Sequence, residues 1–261
     1  MARRYDTRST TFSPEGRLYQ VEYALEAISM AGTCIGVLCR QGIVLMTEKR
    51  HSSKLLEDTQ VSEKLYKLHD SMFCSVAGLT SDANILVDEA RLISQRYQLT
   101  YLDTVPCEYL VAHLCDIKQA YTQFGGRRPF GVSFLYAGYD IHRGLQLFQS
   151  DPSGNYSGWK ATCIGNNSQS AIALLKQEYK SEDMSLDEAK MLAVKVMYKS
   201  VDASKLTCER CEMSILTLGD NKTPIMLSIG KDELKKYIDI YEAEVEAKEQ
   251  ADRDKKQTER L

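Results

Sequence analysis

Strands and helices fall in blocks along this chain, and the order of the blocks constrains the fold more than any other feature. Residues 33–39 and 43–48 read as two strands around a short turn at Gly42, and residues 72–77 as a third that ends at Gly78. Two amphipathic helices follow. Ser81 or Asp82 is placed to cap the first, which carries Leu86, Ala90, Ile93 and Tyr97 on one face. The second starts at Pro106, carries Leu110, Leu114, Ile117 and Tyr121, and stops at Gly125-Gly126. Strands return over residues 132–139, 144–149 and 156–164, with Asp151-Pro-Ser-Gly154 as a turn. Asn167 or Ser168 then opens a helix through Ala171, Leu174, Leu175 and Glu178. Ser185-Leu-Asp-Glu188 is a capping-box pattern that opens another through Leu192, Val196 and Val201. A strand pair over residues 213–218 and 224–229 turns at Gly219-Asp-Asn221. A parallel doubly wound sheet needs a helix between successive strands, so this order argues against one. It fits antiparallel sheets stacked face to face and covered by helix pairs, an α+β class.

The chain has 261 residues, 43% of them hydrophobic and 26% charged, enough for one large core, and no linker divides it. A net charge of −3 gives no bulk drive toward nucleic acid or a membrane. No apolar run is long enough to span a bilayer, and the opening Met-Ala-Arg-Arg-Tyr-Asp lacks a secretory core; an intracellular protein is expected. Of eight cysteines, six stand singly in apolar segments, where thiols act as small hydrophobes. Cys208-Glu-Arg-Cys211 is the one close pair. Zinc would need two further ligands at matching spacing, and His51, His69, His113 and His142 do not cluster, so no metal or other cofactor is expected. Neither a phosphate-cradling loop ending in Lys-Ser/Thr nor a Gly-x-Ser-x-Gly elbow is present.

Before the first strand lies a polar arm, a stop and a helix. Ser13 is suited to capping, Pro14 to a turn or first helical position, and Gly16 to a tight bend. Leu18, Val21, Leu25 and Ile28 recur at helical spacing, and Gly32 supplies a C-terminal stop. The run Phe12-Ser-Pro-Glu-Gly-Arg-Leu-Tyr-Gln-Val-Glu-Tyr-Ala24 closely resembles the N-terminal signature of α-type subunits of the 20S proteasome. Gly78-Leu-Thr-Ser-Asp82, the segment from Tyr121 through Gly125-Gly-Arg-Arg128 to Ser133, and Asp151-Pro-Ser-Gly154 extend the resemblance to about Glu233. Arg3-Arg-Tyr-Asp6, residues 116–124 and residues 159–167 are similar to one subgroup, the third position of the α ring.

The resemblance implies a four-layer αββα sandwich, the fold of N-terminal-nucleophile hydrolases. Residues 1–16 would be a gate arm and turn, 17–31 a helix across the top of the subunit, 32–230 the sandwich, and 231–261 a helix whose charged end frays beyond Glu242. It implies a structural and gating role in the outer ring, in ubiquitin-dependent and ubiquitin-independent protein degradation, in cytoplasm and nucleus. Expected partners are neighbouring α-type subunits in a seven-membered ring, β-type subunits of the inner ring, and regulatory particles; nucleic acid and membrane are not. Tyr5, Asp6, Pro14 and Tyr23 match the family's gate cluster, although the usual Tyr-Asp-Arg reads Tyr5-Asp6-Thr7 here, with Arg8 displaced by one. Lys64 matches the lysine that meets the C-terminal carboxylate of activator tails, with Gly16 and Leu18 lining the pocket.

Catalytic subunits of that family, the β type, attack with an N-terminal threonine whose own amine is the base. Thr33 is the one candidate here, and the alternative function is a self-processed threonine protease that begins at Thr33. Against it, processing would discard the arm and helix. In addition, β-type sequences place the nucleophile ten residues before the first hairpin glycine, which is Gly32 in this chain.

Overall fold

The computed structural model describes residues 5–49, 64–201 and 206–258. Helix α1 (Tyr19–Ser29) leads into the hairpin β1 (Cys34–Cys39) and β2 (Gly42–Glu48). Strands β3 (Leu65–His69) and β4 (Met72–Gly78) follow, then helices α2 (Thr80–Tyr101) and α3 (Cys107–Gln123). Next come β5 (Val132–Asp140), β6 (Gly144–Ser150), β7 (Tyr156–Gly158) and β8 (Ala161–Ile164). Helices α4 (Ser168–Glu178) and α5 (Leu186–Ser200), strands β9 (Cys211–Leu218) and β10 (Pro224–Ser228), and helix α6 (Lys231–Thr258) complete the chain.

One sheet has the order β10-β9-β2-β1-β8 and the other β3-β4-β5-β6-β7, with every pairing antiparallel. The strands are apolar on both faces: β2 and β4 each bury six residues in succession. Sheets covered on both sides need such runs. Three apolar clusters fill the three gaps between four layers. Ile35, Val44, Val196, Met197 and Ile215 lie between the first sheet and α4–α6. Cys34, Ile43, Leu45, Phe73, Leu135 and Leu147 lie between the sheets. Leu86, Leu110, Leu114, Phe134 and Tyr136 lie between the second sheet and α2 and α3. The αββα sandwich is therefore present, and α1 seals one end of the inter-sheet layer through Ile28.

Several local expectations give way to tertiary structure. The stretch 156–164 is two strands in different sheets: β7 pairs with β6 and β8 with β1, and Trp159-Lys160 carries the chain across the sandwich. Gly42 is the first residue of β2, paired with Cys39, and the turn is Arg40-Gln41. A Cβ at position 42 would come 2.5 Å from the Leu216 carbonyl, so close strand approach rather than turn geometry fixes the glycine. Strand β3 is not signalled by the sequence pattern. Ser185 and Glu188 do form the capping box. Helix α6 runs past Glu242 to Thr258 instead of fraying there, anchored at its start by Leu234, Ile238 and Tyr241 against α5.

Candidate gate and docking surfaces

The turn before α1 is closed by backbone. Gly16 N–H donates to the Ser13 carbonyl at 2.9 Å, Ser13 N–H to the Arg17 carbonyl at 2.9 Å, and Gly16 takes φ +77°. Ser13 is buried, and its hydroxyl accepts from Arg17 N–H at 3.1 Å, so it locks the turn and is not the cap. The N-cap is Leu18, whose side chain has no acceptor to offer, and an Arg17–Glu22 ion pair spans the helix start. Pro14 is exposed on the rim of the turn.

This turn folds the arm back along α1. Gln20 Nε2 donates to the Asp6 carbonyl, and Tyr23 Oη reaches Asp6 Oδ2 at 3.5 Å. Burial and then the Asp6 carboxylate hold the Tyr23 phenol above its usual range. Tyr19 stacks on Tyr23 with ring centroids 6.3 Å apart. Further along, Ser9 Oγ donates to the Arg127 carbonyl at 2.9 Å. Tyr5 lies half-buried in the same arm. Thus Asp6 and Tyr23 meet as a pair at the edge of hydrogen-bond range, and among the described residues no hydrogen bond joins Tyr5 or Pro14 to either. Gln20 and Ser9, which tie the arm down, were not singled out by sequence; neither residue type carries a signal for such a contact.

Lys64 lies at the other end of α1. Its Nζ is buried without a hydrogen-bond partner, directly over Gly32, where any Cβ would collide with it and would come 2.8 Å from the Glu48 carbonyl. Gly16 and Leu18 precede the first turn of α1, so within one chain the helix length, roughly 16 Å, separates them from Lys64. Thr33, next to Gly32, is 1% exposed. Its N–H donates to Glu48 Oε2 at 3.0 Å and its hydroxyl to the Asn166 carbonyl at 3.0 Å. The hydroxyl that the protease alternative needs is thus committed to a backbone carbonyl and closed off from a substrate.

Beside the arm, the loop between α3 and β5 is fastened by Asp82 near the start of α2. Asp82, expected as a cap, instead receives both Arg128 nitrogens at 2.6 and 2.8 Å and the Gly131 N–H at 2.9 Å. The Arg128 hydrogen bonds hold the Asp82 carboxyl below its ordinary value. A carboxylate with a depressed pKa stabilises the fold above its unfolded value of 3.8 and loses that contribution as pH falls through its folded value. Arg128→Ala is expected to cost about 2 kcal/mol at pH 7, because it strands a buried charge. In urea denaturation, the gap between wild type and variant should narrow below pH 3.8.

All eight cysteines are free thiols and seven are buried; burial pushes Cys107 and Cys211 up to about 12, which leaves them unreactive. Among the described residues, no three His, Cys, Asp or Glu side chains gather as a metal would require, and no helix is long and apolar enough to cross a membrane.

A family model described as the proteasome subunit matches residues 28–216. A second, described as the N-terminal signature of A-type proteasome subunits, matches residues 5–27, the arm, turn and most of α1. The chain belongs to the α-type subunits of the proteasome. It is 57% identical over 260 residues to the alpha type-4 proteasome subunit of Drosophila melanogaster, covering 98% of each protein. It is 56% identical over 223 residues to the alpha type-4-A proteasome subunit of Arabidopsis thaliana, covering 85% of this chain and 89% of that one. A probable alpha type-3 proteasome subunit of Schizosaccharomyces pombe is 54% identical over 243 residues, covering 93% and 98%. The α-type signature matches the one part of the chain that Thr33 processing would remove, so the β-type alternative is not favoured.

Proposed function

We propose that this chain is a non-catalytic structural and gating subunit of the outer ring of the 20S proteasome core, at the third ring position. Its neighbours are α-type subunits in a ring of seven, with the β-type ring beneath and regulatory particles docking above, in cytoplasm and nucleus. The observation that carries this reading is the arm, turn and α1 unit preceding a buried, hydrogen-bonded Thr33. In the gate, the weak Tyr23–Asp6 contact suits a switch, because bonds of about 1 kcal/mol are exchanged at little cost when a neighbour offers better ones. For docking, Lys64 would swing its Nζ out of the buried position over Gly32 to meet the terminal carboxylate of an activator tail. The length of α1 between Lys64 and Gly16 and Leu18 within one chain supports a pocket between adjacent subunits, to which one would supply Lys64 and the next Gly16 and Leu18.

The test is the intact mass of this chain taken from its native complex. Retention of residues 1–32 supports the reading; a chain that begins at Thr33 overturns it and makes this a protease. A second result is expected from Thr33→Ala. Particles that carry it should keep full peptidase activity, while the isolated chain loses about 1 kcal/mol through the missing bond to Asn166.

A further inference from the structure

A cavity of about 610 Å³ lies between the arm and the loop that joins α3 to β5, lined by Arg8 and Thr10 on one side and by Gly125, Gly126, Arg127 and Arg128 on the other. Its charge is one-sided. No carboxylate lines it, and Arg128 is the one arginine of the three whose charge is matched, by Asp82. Arg127 is held but not neutralised: its guanidinium lies 5.3 Å from the Tyr121 ring centroid, and Nη1 donates to the Tyr121 hydroxyl at 2.8 Å. Arg8 has no ion-pair or hydrogen-bond partner among the described residues. A Cβ at Gly125 or Gly126 would meet nothing within 4 Å, so the glycines leave bare backbone facing open space.

We propose that this cavity binds a phosphate-bearing ligand that bridges Arg8 of the arm and Arg127 of the loop. Two guanidinium groups on separate segments suit a group with several anionic oxygens better than a single carboxylate, and the volume falls within the range of small-molecule sites. Ser9 already bonds the Arg127 carbonyl and Gln20 the Asp6 carbonyl, so the ligand would add a charged clasp to an arm that these two neutral hydrogen bonds hold. The chemistry fits either a free polyphosphate or a phosphorylated side chain.

The probes are sodium tripolyphosphate and a short neutral peptide that carries one phosphoserine, titrated calorimetrically into the full chain and into the assembled particle. Submillimolar binding is expected, weakened about tenfold by Arg8→Gln and abolished by Arg8→Gln with Arg127→Gln. Arg127→Lys keeps the charge and should stay within threefold, and Lys160→Gln, on a distant surface, should change nothing. Hydrogen exchange of residues 7–10 should slow on binding. Tighter binding of tripolyphosphate assigns the site to a free polyphosphate, and tighter binding of the peptide assigns it to a modified side chain. Absence of binding by either probe, binding that survives the double variant, or binding by the lone chain that is lost in the particle would overturn the proposal. None of these readouts uses peptidase activity, so the site stands or falls separately from the gate.

Discussion

A chain that carries Leu25→Glu and Met30→Glu is expected to fold normally and fail to enter the ring. Helix α1 commits only Val21 and Ile28 to the subunit interior. Its remaining surface presents Tyr23, Leu25 and Met30 at 45%, 41% and 68% exposure, with Phe12 of the arm at 64% beside its start. One helix and its lead-in segment therefore expose four large apolar side chains, a concentration that marks a surface to be covered in an assembly. In the isolated chain, glutamate at one exposed helical position and at the exposed C-cap changes stability by no more than about 1 kcal/mol in total. In an assembled ring the same carboxylates would be desolvated without partners, at a cost of several kcal/mol. The expected readings are a thermal midpoint within about 4 °C of wild type and at least a tenfold loss of co-purification with the other subunits. Ile28→Glu is the contrasting control: it breaks the inter-sheet layer and should lower stability as well as assembly. Normal incorporation of the double variant would remove α1 from the interface and take with it the main physical support for the ring.

The layered fold was legible because block order and double-sided apolar strands are properties of the sequence itself. What sequence hid was partner choice. The run 156–164 reads as one strand because its composition is uniform, yet the two halves pair with different sheets, which only the long-range positions of β6 and β1 decide. Strand β3, Leu-Tyr-Lys-Leu-His, alternates too weakly to stand out, and it sits at a sheet edge where one face is enough. Asp82 stands where a capping residue belongs, and its true partner, Arg128, is 46 residues away. At the site, the arm, turn and α1 were legible from local chemistry, whereas the burial of Lys64 over Gly32 depends on the approach of segments 32 residues apart. The buried face of α3 was only partly legible. Leu110 and Leu114 are on it as expected, but Ile117 and Tyr121 lie at its edge, and the position one turn beyond Leu114 is a lysine.

That lysine yields the other large effect: Lys118→Met is expected to raise stability by about 2 kcal/mol at pH 7 and to remove a rise in stability that the wild type shows between about pH 8 and 10.5. Lys118 is fully buried between α3 and the second sheet, and loss of hydration pulls its ammonium down from 10.5 to about 8. Below pH 8 it is charged in both folded and unfolded chains, and the fold bears a burial cost of roughly 3 kcal/mol. Between 8 and 10.5 the folded chain has released the proton while the unfolded chain still holds it, so stability rises with pH across that window. The groups around it act in the opposite sense. Cys115 on α3, Cys74 on β4 and Tyr136 on β5 are all pushed upward by burial, and each favours the unfolded chain as pH rises past its ordinary value. Comparison of wild type with Lys118→Met by urea denaturation at pH 7 and pH 10 cancels the Tyr136 contribution and reports the lysine together with its coupling to the Cys115 and Cys74 thiols, which its charge draws downward. Methionine keeps the aliphatic stem and leaves the Tyr136–Ser150 hydroxyl contact of 3.0 Å in place. What it forfeits are the bonds from Nζ to Ser150 Oγ at 2.9 Å and to the Val132 carbonyl at 3.4 Å, and the charge 4.6 Å from the Phe134 ring centroid. Those contacts join α3 to β5 and β6 at one angle and one register, so the ammonium trades stability for a defined seat of the helix on the sheet. A variant that gains stability but shows faster α3 amide exchange would separate the two contributions. A variant that loses stability at pH 7 would mean that the hydrogen bonds outweigh the burial of the charge.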